Sequence, residues 1–144
     1  MKILVPVDGS TSVINAIQKS KDAGLFNNAE IHLITVNTTS SDIPASPYMA
    51  LNMMDQITEA NKKRALDVLD QAKNMLSPEY HIHAEIVREG DPAMEILRYA
   101  EEMVADLIIM GNRGLGKFNK LMMGSVSNKV LTNSHCSVLI VKEK

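Results

Sequence analysis

Short apolar runs alternate along the chain with longer stretches in which apolar residues recur at every third or fourth position. Five runs are typical of strands, at residues 3–7, 31–36, 80–88, 107–110 and 138–141. The longer stretches predict helices at residues 12–24 and 51–76, after Asp91-Pro92, and at residues 120–133, because this spacing places apolar side chains on one helical face. Strands that alternate with helices predict an α/β fold with a doubly wound parallel sheet of five strands and helices on both faces.

The pattern of apolar and polar residues within each strand predicts the order of the strands in the sheet. The first, fourth and fifth strands are continuous apolar runs, as expected where helices cover both faces. The third alternates, with Ile82, Ala84 and Ile86 on one side, which suits an edge. The order 3-2-1-4-5 fits best, and it makes the first and fourth strands neighbours at the switch point where open α/β sheets bind ligands.

The long second helix predicts both a core-facing stripe and a solvated face. We assign the solvated face to Lys62-Lys63-Arg64 and the polar segment 37–49 before the helix to a lid or binding loop. The stripe is expected to contain Met54, Ile57, Ala65, Val68, Leu69, Ala72, Met75 and Leu76.

Length and composition narrow the class of protein. The 144 residues suit one domain, 1–144, and a net charge of -2 with a pI near 6.1 argues against binding to nucleic acid or an anionic membrane. No apolar run approaches the roughly 20 residues of a membrane span, and the start reaches Asp8 too early for a signal peptide. A cytoplasmic protein is expected, and its one cysteine, Cys136, cannot form an internal disulfide.

The candidate chemistry lies in the turns after the first and fourth strands, which should face each other across one crevice. Val7-Asp8-Gly9-Ser10 follows the first strand; Gly111 to Lys117 follows the fourth, with Gly124-Ser125 opening a helix. Glycine lets backbone N–H groups approach a phosphate, and a helix N-terminus adds partial positive charge. The region 111–130 contains no acid and four basic residues: Arg113, Lys117, Lys120 and Lys129. A small anionic ligand is therefore predicted in this crevice.

Other phosphate motifs fit less well. Gly111-x4-Gly116-Lys117 resembles the start of a P-loop, but Phe118 stands where Ser or Thr should hold the metal. The glycine spacing also fails the G-x-G-x-x-G fingerprint. A phospho-acceptor receiver domain shares the strand order, but the turn after the third strand, 88–90, has no Asp to accept a phosphoryl group.

The spacing Gly111-x2-Gly114-x9-Gly124-Ser125 resembles the nucleotide-binding pattern of the universal stress protein family, in its ATP-binding branch. The resemblance extends over essentially the whole chain, through segments 3–10, 90–92, 106–111 and 135–141. The chain departs from the family's usual pattern at Asn112, where Ser is common, and at Ser137, where Pro is usual. Neither departure is expected to affect nucleotide binding.

The resemblance implies that ATP, ADP or AMP binds with Mg²⁺ or Mn²⁺ bridging its phosphates. Asp8 and the backbone of Val7 and Val36 would recognise adenine and ribose, although Asp8 could instead cap the first helix. A larger group would line the ribose and phosphate path or cradle the phosphates. Together the implied site is Pro6, Val7, Asp8, Val36, Met110, Gly111, Arg113, Gly114, Gly124, Ser125, Val126 and Ser127.

Three functions remain open at this point. The first is a nucleotide-dependent regulator of the stress response, acting through an unknown regulatory protein. The second is a true ATP-hydrolysing or phosphotransfer enzyme; it lacks a candidate carboxylate, Gln or His to position water, so slow turnover at most is expected. The third is a dimeric scaffold with an empty crevice. An apolar edge strand at 138–141 favours a homodimer through that strand.

Several other residues are assigned to structural roles. His81 and His83 are expected at exposed edge positions rather than as metal ligands, and His32 and His135 have no partner pattern. Cys136 is expected to be a small buried hydrophobic residue.

Overall fold

In the described parts of the chain, nine secondary-structure elements alternate strictly between strand and helix. A computed structural model describes residues 1–39, 46–115 and 122–143 of the chain. The elements are β1 (Lys2–Pro6), α1 (Thr11–Asp22), β2 (Glu30–Asn37), α2 (Pro47–Leu76), β3 (Ile82–Glu89), α3 (Pro92–Glu102), β4 (Leu107–Gly111), α4 (Ser125–Asn133) and β5 (Ser137–Val141).

The strands form one parallel sheet in the order β3-β2-β1-β4-β5, which confirms the predicted order. In the central register, Val5 of β1 lies opposite Leu33 of β2, and Leu4 lies opposite Ile108 of β4. β1 and β4 are therefore adjacent, and the connections that follow them run in opposite directions. This arrangement opens a crevice at their carboxyl ends.

Each face of the sheet packs its own apolar core. Side chains of β1 and β2 alternate between the faces, so that Ile3 and Val5 lie on one side and Leu4 on the other. The first core lies under α1 and α2 and includes Ile17, Leu69 and Leu76; the second lies under α3 and α4 and includes Ile96, Ala100 and Val130. Helices on both faces explain the continuous apolar runs of β1 and β4.

Helix ends follow local sequence signals. The Ser10 side chain caps α1 by accepting from the Val13 N–H at 3.3 Å. Gly24, at φ +71°, ends the helix in a Schellman arrangement in which the Leu25 N–H bonds to the Ser20 carbonyl at 3.0 Å. Asp91 caps α3 through the Met94 N–H at 3.0 Å, with Pro92 at the first helical position, which confirms the prediction for that helix.

The second helix differs from its prediction at its amino end. α2 begins at Pro47 rather than 51, and Met54, assigned to the core stripe, is 54% exposed. Its 30 residues make a helix roughly 45 Å long, whereas an eight-residue strand such as β2 spans only about 27 Å. The first turns of α2 therefore extend beyond the strands they would cover, and the buried stripe is concentrated further along, at Ala65, Leu69, Ala72 and Leu76.

The other boundaries shift by a few residues. α4 begins at Ser125, with Gly124 at the N-cap, whereas residues 120–133 were predicted. The first two predicted residues, and positions 40–45 of the predicted loop, lie outside the described residues. β3 alternates between half-buried and exposed side chains and forms one sheet edge, as expected. Within the described ranges, no helix combines the length and hydrophobicity needed to cross a membrane.

Candidate functional site

A cavity of about 340 Å³ opens at the carboxyl ends of β1, β2 and β4. Its walls also include Pro92 and Ile96 of α3 and the N-terminal turn of α4. This volume lies within the range of small-molecule sites in proteins. All twelve site residues named from the sequence line it: Pro6, Val7, Asp8, Val36, Met110, Gly111, Arg113, Gly114, Gly124, Ser125, Val126 and Ser127.

Further residues of the same wall were not predicted from the sequence. Pro92 and Ile96 are one helical turn apart, at the start of a helix that follows a strand, so the strand order could have placed them here. The others reach the cavity through packing that no local pattern indicates. The missed lining residues are Val13, Ile34, Thr38, Arg64, Pro92, Ile96 and Leu115.

The turn after β1 is fixed by backbone contacts and by Asp8. The Val7 N–H donates to the Ile34 carbonyl at 2.8 Å, and Oδ1 of Asp8 accepts from the Ser10 N–H at 2.9 Å. The alternative that Asp8 caps the first helix is wrong, because Ser10 occupies that position. The second oxygen, Oδ2, lies 3.1 Å from the place where a Cβ on Gly114 would stand. The Asp8 carboxylate thus spans the gap between the two predicted turns.

Gly111 has a packing role in addition to its place in the cavity wall. A Cβ at this position would lie 2.3 Å from Oγ of Ser12 and 2.7 Å from the Ser12 carbonyl carbon, because α1 crosses directly over the end of β4. Ser12 Oγ donates to Oδ1 of Asn112 at 3.2 Å and accepts from the Arg113 N–H at 3.3 Å. Glycine at 111 therefore sets the distance between α1 and the turn.

The start of α4 is joined to the same turn. The Gly124 N–H donates to the Asn112 carbonyl at 2.7 Å, and Oγ of Ser127 donates to the Gly111 carbonyl at 2.9 Å. The Ser127 hydroxyl proton is thus used within the protein. The backbone N–H groups of Ser125, Val126 and Ser127 belong to the first helical turn, where no intrahelical acceptor exists. These groups give the cavity wall the partial positive charge of a helix N-terminus.

The four basic residues predicted to make this region cationic do not all reach it. Arg113 lines the cavity, but its Nη2 is paired with Oε2 of Glu143. Lys129 is directed to solvent, with Nζ 4.0 Å from Asp91 and a side chain 61% exposed. Lys117 and Lys120 lie outside the described residues. The segment 111–130 itself contains no acid. The carboxylate that pairs with Arg113 comes from Glu143, which follows β5, 30 positions along the chain.

Arg64 was assigned to a solvated face, and that assignment is wrong. Its Nη2 donates to the Val36 carbonyl at 3.1 Å and to Oδ1 of Asn37 at 3.3 Å, so α2 is tied to the end of β2 beside the cavity. Nη1 of Arg64 and Nε of Arg113 are buried, and neither has a hydrogen-bond partner within the described ranges. Buried donors are normally paired, so both guanidinium groups have capacity for a further acceptor.

Three histidines, His32, His81 and His83, group on the side of the sheet that carries β3, whereas His135 precedes β5, with its Nδ1 3.9 Å from Oε1 of Glu101. His32, for which no partner was foreseen, is buried and contacts the Tyr99 hydroxyl at 2.8 Å and Oε1 of Glu30 at 2.9 Å. The hydrogen bond with His32 lowers the pKa of the Glu30 carboxyl. His81 and His83 stack edge to face, 5.6 Å apart. In the part of the chain that the structure describes, no three His, Cys, Asp or Glu side chains form a group suited to a metal ion.

The fold and the site define a doubly wound α/β protein with a cavity at the switch point of its sheet. Comparison of the sequence with protein families goes one step further. The model of the universal stress protein family matches residues 1–142, and the chain belongs to that family. The family resemblance found in the sequence is therefore confirmed.

Individual relatives agree with this assignment. The chain is 35% identical over 146 residues to the universal stress protein YxiE of Bacillus subtilis, covering 98% of each chain. The solved structure of the hypothetical protein MJ0577 is similar with a TM-score of 0.75 and 26% identity, covering 99% of this chain and 96% of that one. A universal stress protein solved in complex with cAMP gives a TM-score of 0.69 and 25% identity, over 100% and 98%.

Proposed function

We propose that this chain binds an adenine nucleotide in the β1/β4 cavity and acts as a nucleotide-dependent regulator in the stress response. The observation that carries the proposal is the cavity itself. The cavity has apolar walls, the N-terminus of α4 and the guanidinium group of Arg113, and it lies at the switch point where doubly wound sheets bind their ligands. The relative that was solved with cAMP adds support, because its fold extends over the whole of this chain.

The base and ribose would occupy the end of the cavity formed by β1 and β2. Ile34, Val36, Ile96 and Met110 offer apolar surface to a purine ring. Backbone groups of Val7 and Val36 would bind its polar edge, and the carboxylate of Asp8 would accept hydrogen bonds from ribose hydroxyls. Arg64 would hold the Val36 peptide in place through its contact with the carbonyl.

The phosphates would lie between the two glycine turns. Gly114 leaves open backbone beside Asp8, and Gly124 allows the start of α4 to approach that turn. The N–H groups of Ser125, Val126 and Ser127 would donate to phosphate oxygens, with Arg113 adding charge. Since the described residues contain no cluster of three metal-ligating side chains, Mg²⁺ or Mn²⁺ would arrive on the phosphates of ATP or ADP rather than be held by the protein alone.

The same lining argues for binding without rapid turnover. Fast phosphoryl transfer requires a residue that orients the attacking water or hydroxyl. Among the described lining residues the carboxylate is that of Asp8, at the ribose end, and no His or Gln accompanies it. A true ATP-hydrolysing or phosphotransfer enzyme is the alternative.

The test is a calorimetric titration with ATP, ADP, AMP and cAMP, with and without Mg²⁺, followed by an assay of phosphate release. We expect saturable binding of at least one nucleotide at or below millimolar concentration, and turnover well below about 1 per second, the lower end for ordinary enzymes. Absence of binding at millimolar nucleotide would refute the proposed function. Turnover above that rate would establish the enzyme instead.

We also propose a homodimer formed through β5. This strand is a sheet edge, and its side chains Val138, Leu139 and Ile140 are only partly buried. An apolar edge exposes unpaired backbone groups, and pairing with the same strand of a second copy would cover both edges in a closed two-fold arrangement. Sedimentation at micromolar protein should show a dimer, and a monomer there would contradict the proposal.

A further inference from the structure

A carboxylate of the protein already pairs with one of the two guanidinium groups that line the described part of the cavity, that of Arg113. Oε2 of Glu143 pairs with Nη2 of Arg113, and Oε1 accepts from the Thr11 hydroxyl at 2.6 Å. The Glu143 N–H donates to Oδ1 of Asn112 at 3.3 Å, next to Arg113 in the turn. This carboxylate therefore lies between the turn after β4 and the first residue of α1, a place where an anion is favoured.

The pair is largely withdrawn from solvent. The side chains of Arg113 and Glu143 are 19% and 22% exposed. Charges that are partly buried are screened much less by salt than charges on an open surface. A phosphate that approaches Arg113 would therefore meet a guanidinium whose charge is already balanced by the carboxylate of Glu143.

The charges of the described lining residues explain why the contact between Glu143 and Arg113 matters for phosphate binding. Two guanidinium groups, of Arg64 and Arg113, and one carboxylate, of Asp8, line the described part of the cavity. Glu143 cancels the remaining positive charge of that set. Among the described residues, the attraction left for phosphate comes mainly from neutral donors at the start of α4, which bind a phosphate without compensating its full charge.

We propose that Glu143 determines which adenine nucleotide the cavity prefers, by opposing each additional negative charge at the phosphate end. The proposal rests on the proposed function of the cavity. It assigns Glu143 as a specificity-determining residue that acts through Arg113 and through the local field, without contact with the base. The wild-type site then favours ligands of low phosphate charge, such as AMP or a cyclic monophosphate, relative to ATP.

A purely structural role for Glu143 predicts a different outcome. The side chain helps to fix the segment after β5, where the Lys142 carbonyl also accepts from Lys19 Nζ at 2.9 Å. Glutamine keeps the shape of the residue and one oxygen that can accept from the Thr11 hydroxyl; it removes the charge and, with an NH₂ group in place of the second oxygen, the hydrogen bond from Arg113. If fixing this segment were the whole role, Glu143→Gln would leave the order of nucleotide affinities unchanged.

The experiment compares wild type with Glu143→Gln, using adenosine, AMP, ADP and ATP in EDTA at low ionic strength. We expect ATP to bind roughly five- to tenfold more tightly to the variant, ADP and AMP progressively less so, and adenosine equally to both. The gain for ATP should shrink only modestly as salt is raised, since partly buried charges are screened much less than exposed ones. Glu79→Gln is the matched control, because it breaks an ion pair with Lys21 near the C-terminal end of α2, away from the cavity lining.

The outcomes separate the two proposals. An unchanged ATP-to-AMP affinity ratio, or weaker ATP binding by Glu143→Gln, overturns the role of Glu143 and leaves nucleotide binding standing. If neither protein binds any of the four ligands, the proposed function itself fails. Urea unfolding of wild type and Glu143→Gln verifies that the variant is folded. Arg113→Gln provides a second test, because loss of the guanidinium should weaken ATP binding more than AMP binding.

Discussion

Replacing Gly111 with alanine should lower the free energy of unfolding by about 3 kcal/mol, at the upper end of what overpacking a core costs. The added Cβ would lie 2.3 Å from Oγ of Ser12 and 2.7 to 2.8 Å from its carbonyl group. A side-chain oxygen can rotate away, but the backbone of α1 can move only if the helix lifts from the sheet. That movement would also disturb the hydrogen bonds that Ser12 makes with Asn112 and with the Arg113 N–H.

Urea unfolding followed by circular dichroism measures this effect, and Gly124→Ala is the matched control. A Cβ on Gly124 would lie 3.4 to 3.6 Å from the backbone of 112–114, an ordinary contact. Its cost should stay below about 1 kcal/mol, the usual price of alanine at a helix N-cap. Equal stability of the two variants would show that α1 does not pack on Gly111 as described.

Replacing Gly114 with valine should leave the fold intact, unlike Gly111→Ala. It should reduce nucleotide affinity by roughly tenfold or more, equivalent to about 1.4 kcal/mol. The nearest atom to a Cβ there is Oδ2 of Asp8 at 3.1 Å, the end of a side chain that can turn aside. In turning, Asp8 would leave its proposed position at the ribose, and the valine methyl groups would enter the cavity between the two turns. Both changes act against the ligand.

The same calorimetric titration with AMP measures this loss, and thermal unfolding verifies the fold. Gly114→Ala should give a smaller loss, since one methyl group displaces less of the cavity. Retained affinity in the valine variant would mean that the phosphate path does not pass Gly114. A fall in stability as large as that of Gly111→Ala would instead place Gly114 among the packing glycines.

The spacing of apolar residues was sufficient to predict the order of strands and helices, because it indicates which faces of each element are buried. The strand order followed from one contrast, the alternation of Ile82, Ala84 and Ile86 against the continuous run of Leu107 to Met110. Where the pattern failed, an element extended past its neighbours. Met54 has helical spacing with the core residues of α2, but it lies in the turns that extend beyond the strands.

A local signal was available for the start of α2 and was not used. Ser46-Pro47 places proline at the first helical position, the same arrangement that located α3 at Asp91-Pro92. The Ser46 side chain makes no capping hydrogen bond, however, whereas Asp91 does. Two prolines in a polar segment therefore resembled a loop more than a helix start.

The candidate site was foreseen where it depends on backbone and glycine, and missed where it depends on long side chains from distant segments. Glycine spacing is visible along the chain, so Gly111, Gly114 and Gly124 could be placed together. The contact of Arg64 with the end of β2 and that of Glu143 with Arg113 join residues 28 and 30 positions apart. Such contacts follow from how helices and chain ends lie on the sheet, which the spacing of apolar residues does not specify.

Nucleotide binding in the β1/β4 cavity is tested most directly by an amide NMR titration of the ¹⁵N-labelled protein with AMP, which reports binding and its location together. We expect saturable shifts concentrated at Val7, Asp8 and Val36, at residues 111–114 and at residues 125–127, with the β3 edge around His81 and His83 unaffected. Shifts that cluster outside the carboxyl ends of β1 and β4, or a spectrum unchanged at millimolar AMP, would contradict binding in that cavity.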